Sequence, residues 1–597
     1  GEGPAAAESS SVSTSRIRMP EGFDEETHGR VEEFWRTGVL APSLSPDKGG
    51  KSNEKTRRRV LCSHFPKPIE PVFYICMRTR FPPSPTGMLH VGGLRTALFS
   101  YLLAKQSDGD FLLRIEDTDR ERSVEGAVEN ILGTLHWAGL HPDEGVMLEG
   151  GKIIQKGEKG PYIQSERLEI YKDYAKQLVD AGQAYYAFDT KEEIDRMREE
   201  AQKAGNPAPK YDLSVRLRMR NALTMDATEV EQMVSAGEPY VIRLKVPENR
   251  TVTVQDEIRG KVEFKTHTVD DAILLKSDGF PTYHLANIVD DHLMDIDLVL
   301  RGEEWLSSLP KHILLYEAFG WQAPKFAHVP LLLNKEGGGK LSKRQGDVAA
   351  SDFIAKGYLP EALLNFLALL GWNPGGTQEL FTMEELITQF SLERVQKGGA
   401  VFDTEKLDWL QGQWMRKFSP EEFTGRIRPT VQEVYPAAAD DPDFAKKATL
   451  IQERITFFAE APEMLSYYYT EPVFNMELVA SKKQKVTVEM VPGIIDFLIK
   501  ALSPLDDNDG NWQIKRIENV LESANLNLSI KLKDGIDIST ESESGRYTKG
   551  QYLWPLRAIL TGLPYSPGAF EVVEVLGKEK TLERLQKAKE LAEGMKK

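Results

Sequence analysis

The chain reads as an α/β protein joined to an all-helical C-terminal part, and three observations predict this. An apolar stretch at 72–81, a helical pattern from Leu94 and a second apolar stretch at 111–117 make a strand–helix–strand unit. Helical and β-rich segments mix through 161–282, "ERLEIYKDYAKQLVDAG" against "EPYVIRLKVP". From about 418 onward amphipathic helical patterns dominate, as in "DFAKKATLIQERITFFAEAPEMLSYY" and "VPGIIDFLIKAL", and strand patterns nearly vanish.

At 597 residues the chain is too long for one core, and about 150 residues per domain implies roughly four domains. Hydrophobic residues at 41% and charged residues at 28% are ordinary for a globular chain, and no apolar run is long enough to cross a bilayer. The two cysteines, Cys62 and Cys76, form no CxxC pair and have no histidine cluster beside them, which supports neither a disulfide framework nor a zinc site and fits a reducing compartment. A net charge of -16 argues against indiscriminate nucleic-acid binding, yet leaves room for one basic face.

Residues 1–77 read as an irregular extension, rich in Gly, Ser and Pro with a basic run from Lys55 to Arg59. Ser-rich text with Arg16 and Arg18 hints at a transit peptide, but Glu21, Asp24, Glu25 and Glu26 follow at once. The stretch "RFPPSPTGMLHVGGLRTALF", 80–99, then joins the first strand to its helix. Leu94, Ala97, Leu98, Tyr101 and Leu102 keep helical spacing until "QSDGD", 106–110, breaks it, and "FLLRIED", 111–117, is the second strand. Nucleotides bind at the carboxyl ends of the strands in such units.

The loop carries neither a Walker lysine nor GxGxxG. His90, Gly92 and Gly93 stand instead at the helix start, where backbone N–H groups and the positive helix end favour an anion and glycine lets the backbone come close. Alone, HxGG is more simply a Pro/Gly turn with a satisfied histidine. A second stretch, "PLLLNKEGGGKLSKRQGD" at 330–347, changes that weighting. A strand, a glycine hinge and the cluster Lys340, Ser342, Lys343 and Arg344 describe a loop that closes on a polyphosphate.

The pair "HVGG" (90–93) and "KLSKR" (340–344) resembles the HIGH and KMSKS signatures of class I aminoacyl-tRNA synthetases. "RTRFPPSPTG" (78–87), "RIEDTDRER" (114–122), "GPYIQSERLEIY" (160–171), "DGFPTYHLANIVDDHLM" (278–294) and "LRGEEW" (300–305) are similar to the glutamyl-tRNA synthetase family, of the bacterial and organellar kind. The resemblance runs from residue 78 to near the C-terminus.

It implies a Rossmann-type catalytic domain in two halves, 78–160 and 283–330, with a tRNA acceptor-binding domain inserted at 161–282. A stem-contact module with the KLSKR loop at 331–417 and a helical anticodon-binding domain at 418–597 complete it. The resemblance assigns L-glutamate to Arg80, Ser84, Glu116, Tyr283, Asn287 and Arg301. A planar guanidinium gives a carboxylate bidentate, charge-assisted bonds that a glutamine amide does not return. In glutaminyl relatives the position of Arg301 is not arginine and "PSPTG" reads "PEPNG", so both positions favour glutamate. Arg114 and Glu116 alternatively pair with each other on their strand.

The implied chemistry is attack of the glutamate α-carboxylate on the α-phosphorus of ATP, then transfer to the terminal adenosine of tRNA-Glu, with tRNA-Gln as a possible second acceptor. His90, Gly92, Lys340, Ser342 and Lys343 are expected at the phosphates with Mg²⁺, and Glu304 and Trp305 around the adenosine and ribose; His90, Lys340 and Lys343 form the catalytic set. Arg122 is expected at the acceptor end, and Arg454 and Arg557 at the anticodon, whose unpaired bases suit arginine contacts. No structural zinc and no membrane are expected, and the family default is a monomer. Gln411 replaces the usual Asn and Ala569 a larger apolar residue. The extension suggests the mitochondrial matrix, with the cytoplasm of a bacterium as the alternative. A simple nucleotidyltransferase needs neither KLSKR nor RNA-binding modules, and a dead tRNA-binding relative would not retain this residue set.

Overall fold

The computed structural model describes residues 76–335, 338–341, 348–506, 512–527 and 546–594. The described residues divide into two compact units: 76–331 with Gly371–Gly375 and Glu384–Gly399, and Leu332–Leu370 with Gly376–Met383 and 400–594. The N-terminal extension up to residue 75 and the sequence-predicted Ser342, Lys343 and Arg344 lie outside the described residues.

The first unit is built on a mostly parallel sheet. Its strands are β1 (Thr79–Phe81), β2 (Phe111–Leu113), β3 (Glu144–Glu149) and β4 (Lys152–Lys156), followed after β5 (Ala184–Ala187) and β6 (Val241–Leu244) by β7 (Thr251–Asp256) and β8 (Gly260–Lys265). After β9 (Ile273–Leu275) come β10 (Leu298–Gly302) and β11 (Lys325–Val329). The order in the large sheet is β4-β3-β2-β1-β10-β11-β7-β8, while β5, β6 and β9 form a small sheet of their own. From β1 the chain winds outward through β2 and β3 on one side and later through β10 and β11 on the other. The order therefore reverses between β1 and β10, and ligands bind at the carboxyl ends of strands at such a point.

Helix α1 (Val91–Gln106) follows β1 and is buried along most of its length, including Leu94, Ala97, Leu98 and Leu102. It stops where the sequence predicts, with Asp108 in the left-handed region at φ 51°. Gly109 then brings the chain so close to residue 77 that a Cβ there would lie 2.1 Å from the Met77 carbonyl oxygen. Helix α2 (Leu168–Asp180) packs against helix α3 (Tyr283–Leu293), as does α4 (Leu309–Phe319).

Two placements differ from a reading of contiguous domains. Residues 251–265, inside the segment read as the insertion, pair with β11 at Phe326–Asp256 and extend the large sheet as an edge hairpin. Residues 371–375 and 384–399, inside the segment read as the stem-contact module, belong to the first unit. Aromatic packing explains this, for Phe390 lies 4.6 Å from Phe99 of α1 and 5.6 Å from Trp372, ring centre to ring centre.

In the second unit β12 (Leu332–Asn334) pairs in parallel with β13 (Ala400–Phe402), and the rest is helical among the described residues apart from isolated bridges. One core gathers Trp414, Phe423, Ile427, Phe444, Ile451 and Leu465, and another gathers Val491, Ile494, Leu498, Leu556, Val572 and Leu585. Gln411 is fully buried and works as a staple, accepting from Leu359 N at 2.9 Å and donating to Thr456 O at 3.0 Å. Ala569 is buried in the second of these cores.

Candidate functional site

The loop after β1 ends on His90, which caps α1: its Nδ1 accepts the Gly92 N–H at 2.9 Å. A ring nitrogen that accepts is unprotonated, so a neutral His90 carries its hydrogen on Nε2. The Gly92 N–H, expected at a phosphate, donates to this cap. Ser84 is exposed on the same loop, which Glu116 N and Val124 N tether through Pro83 O at 3.0 Å and Pro85 O at 2.9 Å.

Beneath the loop lies a buried lattice of opposite charges. Arg80 of β1 binds Asp291 with Nε to Oδ1 at 3.0 Å and Nη2 to Oδ2 at 3.2 Å. Arg114 donates to Glu116 at 3.0 Å and to Asp291 at 2.9 Å, and Arg167 donates to Asp290 at 2.8 Å. Tyr171 and Gln164 complete Asp290 at 2.8 and 2.9 Å. Three acids face three arginines, so burial of these charges is compensated. Burial by itself would raise the Asp291 carboxyl, but Arg80 and Arg114 outweigh it and hold the group below its ordinary range. Burial pushes Glu116 up, against the opposing pull of Arg114 and Arg80. The pairing of Arg114 with Glu116, open in the sequence, is present.

Tyr283, Asn287, Asp290 and Asp291 follow i, i+4, i+7 and i+8 on α3, which puts all four on one face. Asn287 donates to Glu116 Oε1 at 3.2 Å, while its own Oδ1 is buried without a partner. Tyr283 accepts from Arg301 Nη1 at 2.9 Å and packs against Trp305 at 4.4 Å between ring centres. Arg301 sits near the end of β10, and its Nη2 is buried without a hydrogen-bond partner among the described residues. An acceptor oxygen on Asn287, the Glu116 carboxylate and a guanidinium nitrogen on Arg301 are groups of the kinds that an amino acid bearing two carboxylates and one ammonium requires.

Trp305 and Glu304 are exposed on the turn after β10, and the Glu304 carboxylate lies over Gly302, where a Cβ would meet its Oε2 at 2.1 Å. Arg95, on the first turns of α1, is pushed down to about 10 by burial, against the raising pull of Glu304 and Glu303. The start of α1 and the end of β10 thus frame the same end of the sheet.

Lys340 belongs to the second unit, on a return that pairs with β12 through Leu333. Arg122 is exposed and paired with Asp119 at 2.5 Å. In the helical part, Arg454 lies 3.5 Å from Glu571. Arg557 donates to Ser566 Oγ at 2.8 Å and Pro564 O at 3.0 Å, and burial together with the nearby charge of Arg454 lowers its proton affinity. Sequence reasoning gave no role to Asp290, Asp291, Arg167, His312, His328 or Asp256. The adjacent aspartates inside an otherwise apolar helix were the available sign of the first two.

Comparison with known proteins fits this geometry. The family described as tRNA synthetases class I (E and Q), catalytic domain, matches residues 76–409, and an anticodon binding domain matches 422–589. A sheet that reverses order beside a histidine-capped helix is therefore, here, the catalytic domain of a class I aminoacyl-tRNA synthetase. The glutamate–tRNA ligase of Clostridioides difficile (strain 630) is 45% identical over 516 residues, covering 85% of this chain and 98% of that protein. That of Prosthecochloris aestuarii (strain DSM 271 / SK 413) is 43% identical, covering 86% and 97%. A crystal structure of the glutamate tRNA ligase of Elizabethkingia meningosepticum CCUG26117 in complex with its amino acid superposes with a TM-score of 0.74 at 38% identity, covering 86% of this chain and 99% of that one. The chain belongs to the glutamate–tRNA ligase family.

Proposed function

We propose that this protein activates L-glutamate with ATP and transfers it to the terminal adenosine of tRNA-Glu. The observation that carries this reading is the Arg301 guanidinium, buried among neutral partners with one nitrogen unpaired among the described residues. Such a group binds a side-chain carboxylate and rejects a neutral amide, because the amide leaves a buried charge uncompensated.

Glu116 receives the ammonium and Arg301 the γ-carboxylate, with Tyr283, Ser84 and Arg80 completing the orientation. The α-carboxylate then attacks the α-phosphorus, the bond to the bridging oxygen breaks, and pyrophosphate leaves. His90, with its Nε2–H, and the lysines Lys340 and Lys343 stabilise the phosphate charge, while Glu304 and Trp305 hold the nucleoside. Among the described residues no group of three or more His, Cys, Asp or Glu side chains could hold a metal ion. Mg²⁺ would supply further positive charge to the phosphates beside His90, Lys340 and Lys343. The 2′-hydroxyl of the tRNA adenosine then takes the glutamyl group and releases AMP.

Arg122, Arg454 and Arg557 are the proposed tRNA contacts. Charging of tRNA-Gln alongside tRNA-Glu and a mitochondrial address are finer parts of the same proposal. The second draws on the stretch ahead of residue 76, where the family match begins; the bacterial origin of the relatives favours a bacterial cytoplasm instead. Among the described residues no helix is long and apolar enough to cross a membrane. Glutamate-dependent and tRNA-dependent ATP–pyrophosphate exchange, run with glutamine as competitor, tests the reading: exchange with glutamate alone supports it, and no exchange with glutamate overturns it.

A further inference from the structure

Arg301 is held differently from the buried arginines of the charge lattice. Arg80, Arg114 and Arg167 each bind a carboxylate directly. Arg301 binds none among the described residues: Nε donates to His328 Nε2 at 3.0 Å, and Nη1 donates to Tyr283 Oη at 2.9 Å and His312 Nδ1 at 3.0 Å. A guanidinium only donates, so the imidazole nitrogens facing it are unprotonated acceptors. His328 must then carry its hydrogen on Nδ1, and that atom lies 2.6 Å from Asp256 Oδ2.

Asp256 is itself fixed. Its Oδ1 accepts from the backbone N–H groups of Ile258 at 3.0 Å, Arg259 at 2.8 Å and His328 at 3.3 Å, and both Asp256 and His328 are fully buried. Sheet register builds the chain of contacts, since Arg301 stands opposite His328 on β11 and Phe326 opposite Asp256 on β7. Burial keeps His328 below the ordinary imidazole range, against the opposing pull of its hydrogen bond to Asp256, so the ring stays neutral near pH 7.

We infer that Asp256 and His328 are positioning residues for the glutamate-selecting guanidinium. Asp256 fixes the His328 tautomer, His328 accepts from Arg301 Nε, and Nη2 with its charge is left for a ligand carboxylate. A neutral imidazole orients the guanidinium without neutralising it, which a directly bonded aspartate at the same place would do. The inference rests on glutamate being the substrate.

The test is charging kinetics of the full-length enzyme with His328→Leu, His328→Gln and Asp256→Asn, reading KM for glutamate, KM for ATP, kcat and Tm. His328→Leu is expected to raise KM for glutamate ten- to a hundredfold, with KM for ATP within twofold of wild type. His328→Gln, whose amide oxygen accepts from Nε, is expected to recover most of that loss, and Asp256→Asn to raise KM for glutamate several-fold. If His328→Leu does not fold, the other two decide the matter, because each keeps a polar group in the buried position. An unchanged KM for glutamate in His328→Leu and Asp256→Asn overturns the inference, as does a rise shared equally with ATP and not recovered by Gln. A wild-type enzyme that does not charge glutamate overturns the substrate reading, and this inference with it; wild-type charging with unchanged variants overturns this inference alone.

Discussion

Arg80 and Asp291 form a two-point ion pair, Nε to Oδ1 at 3.0 Å and Nη2 to Oδ2 at 3.2 Å, with the two side chains 1% and 0% exposed. Asp291 also serves Arg114, so one carboxylate compensates two buried cations. Asp291→Asn keeps the shape and removes the charge. It is expected to cost about 3–5 kcal/mol, the usual penalty for stranding a buried charge. Urea denaturation checks this, and a change under about 1 kcal/mol would show that the lattice is not held by charge.

His284 and His312 set a pH dependence. His284 is pushed down to about 4, chiefly by burial and then by Lys311 and Arg301 against Asp270, and His312 moves in the same direction for the same first reason. The unfolded chain protonates near the ordinary value of about 6.5, so it binds protons before the native state does. Stability is therefore full above about pH 6.5 and falls as pH drops toward 4, by roughly 3 kcal/mol from His284. Denaturation midpoints at pH 7.5, 6 and 5 measure it, and His284→Phe should flatten the slope.

Gly302 has ordinary extended backbone, φ -66°, so its lack of a side chain matters only for the space that Glu304 occupies. Gly302→Ala is expected to displace the Glu304 carboxylate at little cost in stability, since a flexible side-chain end can move. If Glu304 orients the nucleoside, KM for ATP rises several-fold while KM for glutamate holds. Equal KM for ATP would remove Glu304 from the nucleotide site.

Arg557 holds the 564–566 turn through Ser566 and Pro564, whereas Arg454 has a single long ion pair with Glu571. Arg557→Ala is expected to weaken tRNA binding tenfold or more, because the turn is released along with a charge. Arg454→Ala should act mainly through charge and lower the salt dependence of tRNA binding by roughly one counterion. Filter binding across a salt series separates the two.

Much of the catalytic sheet was legible because its signals are local. The helix from His90 to Gln106 declares itself by capping residue, apolar spacing and the polar turn that ends it. Tyr283 and Asn287 were placed by motif, and the structure brings them to Glu116 and Arg301. Asp256 was not legible: it meets His328 across 72 residues, through an edge hairpin whose partner strand no periodicity names. The cap contact between His90 and the Gly92 amide was not legible either, because a histidine at a helix start serves equally as cap and as phosphate ligand.

The most direct measurement is charging of tRNA-Glu with labelled glutamate and ATP, by wild type and Arg301→Ala, with labelled glutamine in parallel. The predicted result is glutamyl-tRNA from the wild type, no glutaminyl-tRNA, and at least a hundredfold loss of kcat/KM for glutamate in Arg301→Ala. Wild-type charging of glutamine in place of glutamate, or an Arg301→Ala enzyme with unchanged kcat/KM for glutamate, would contradict the account.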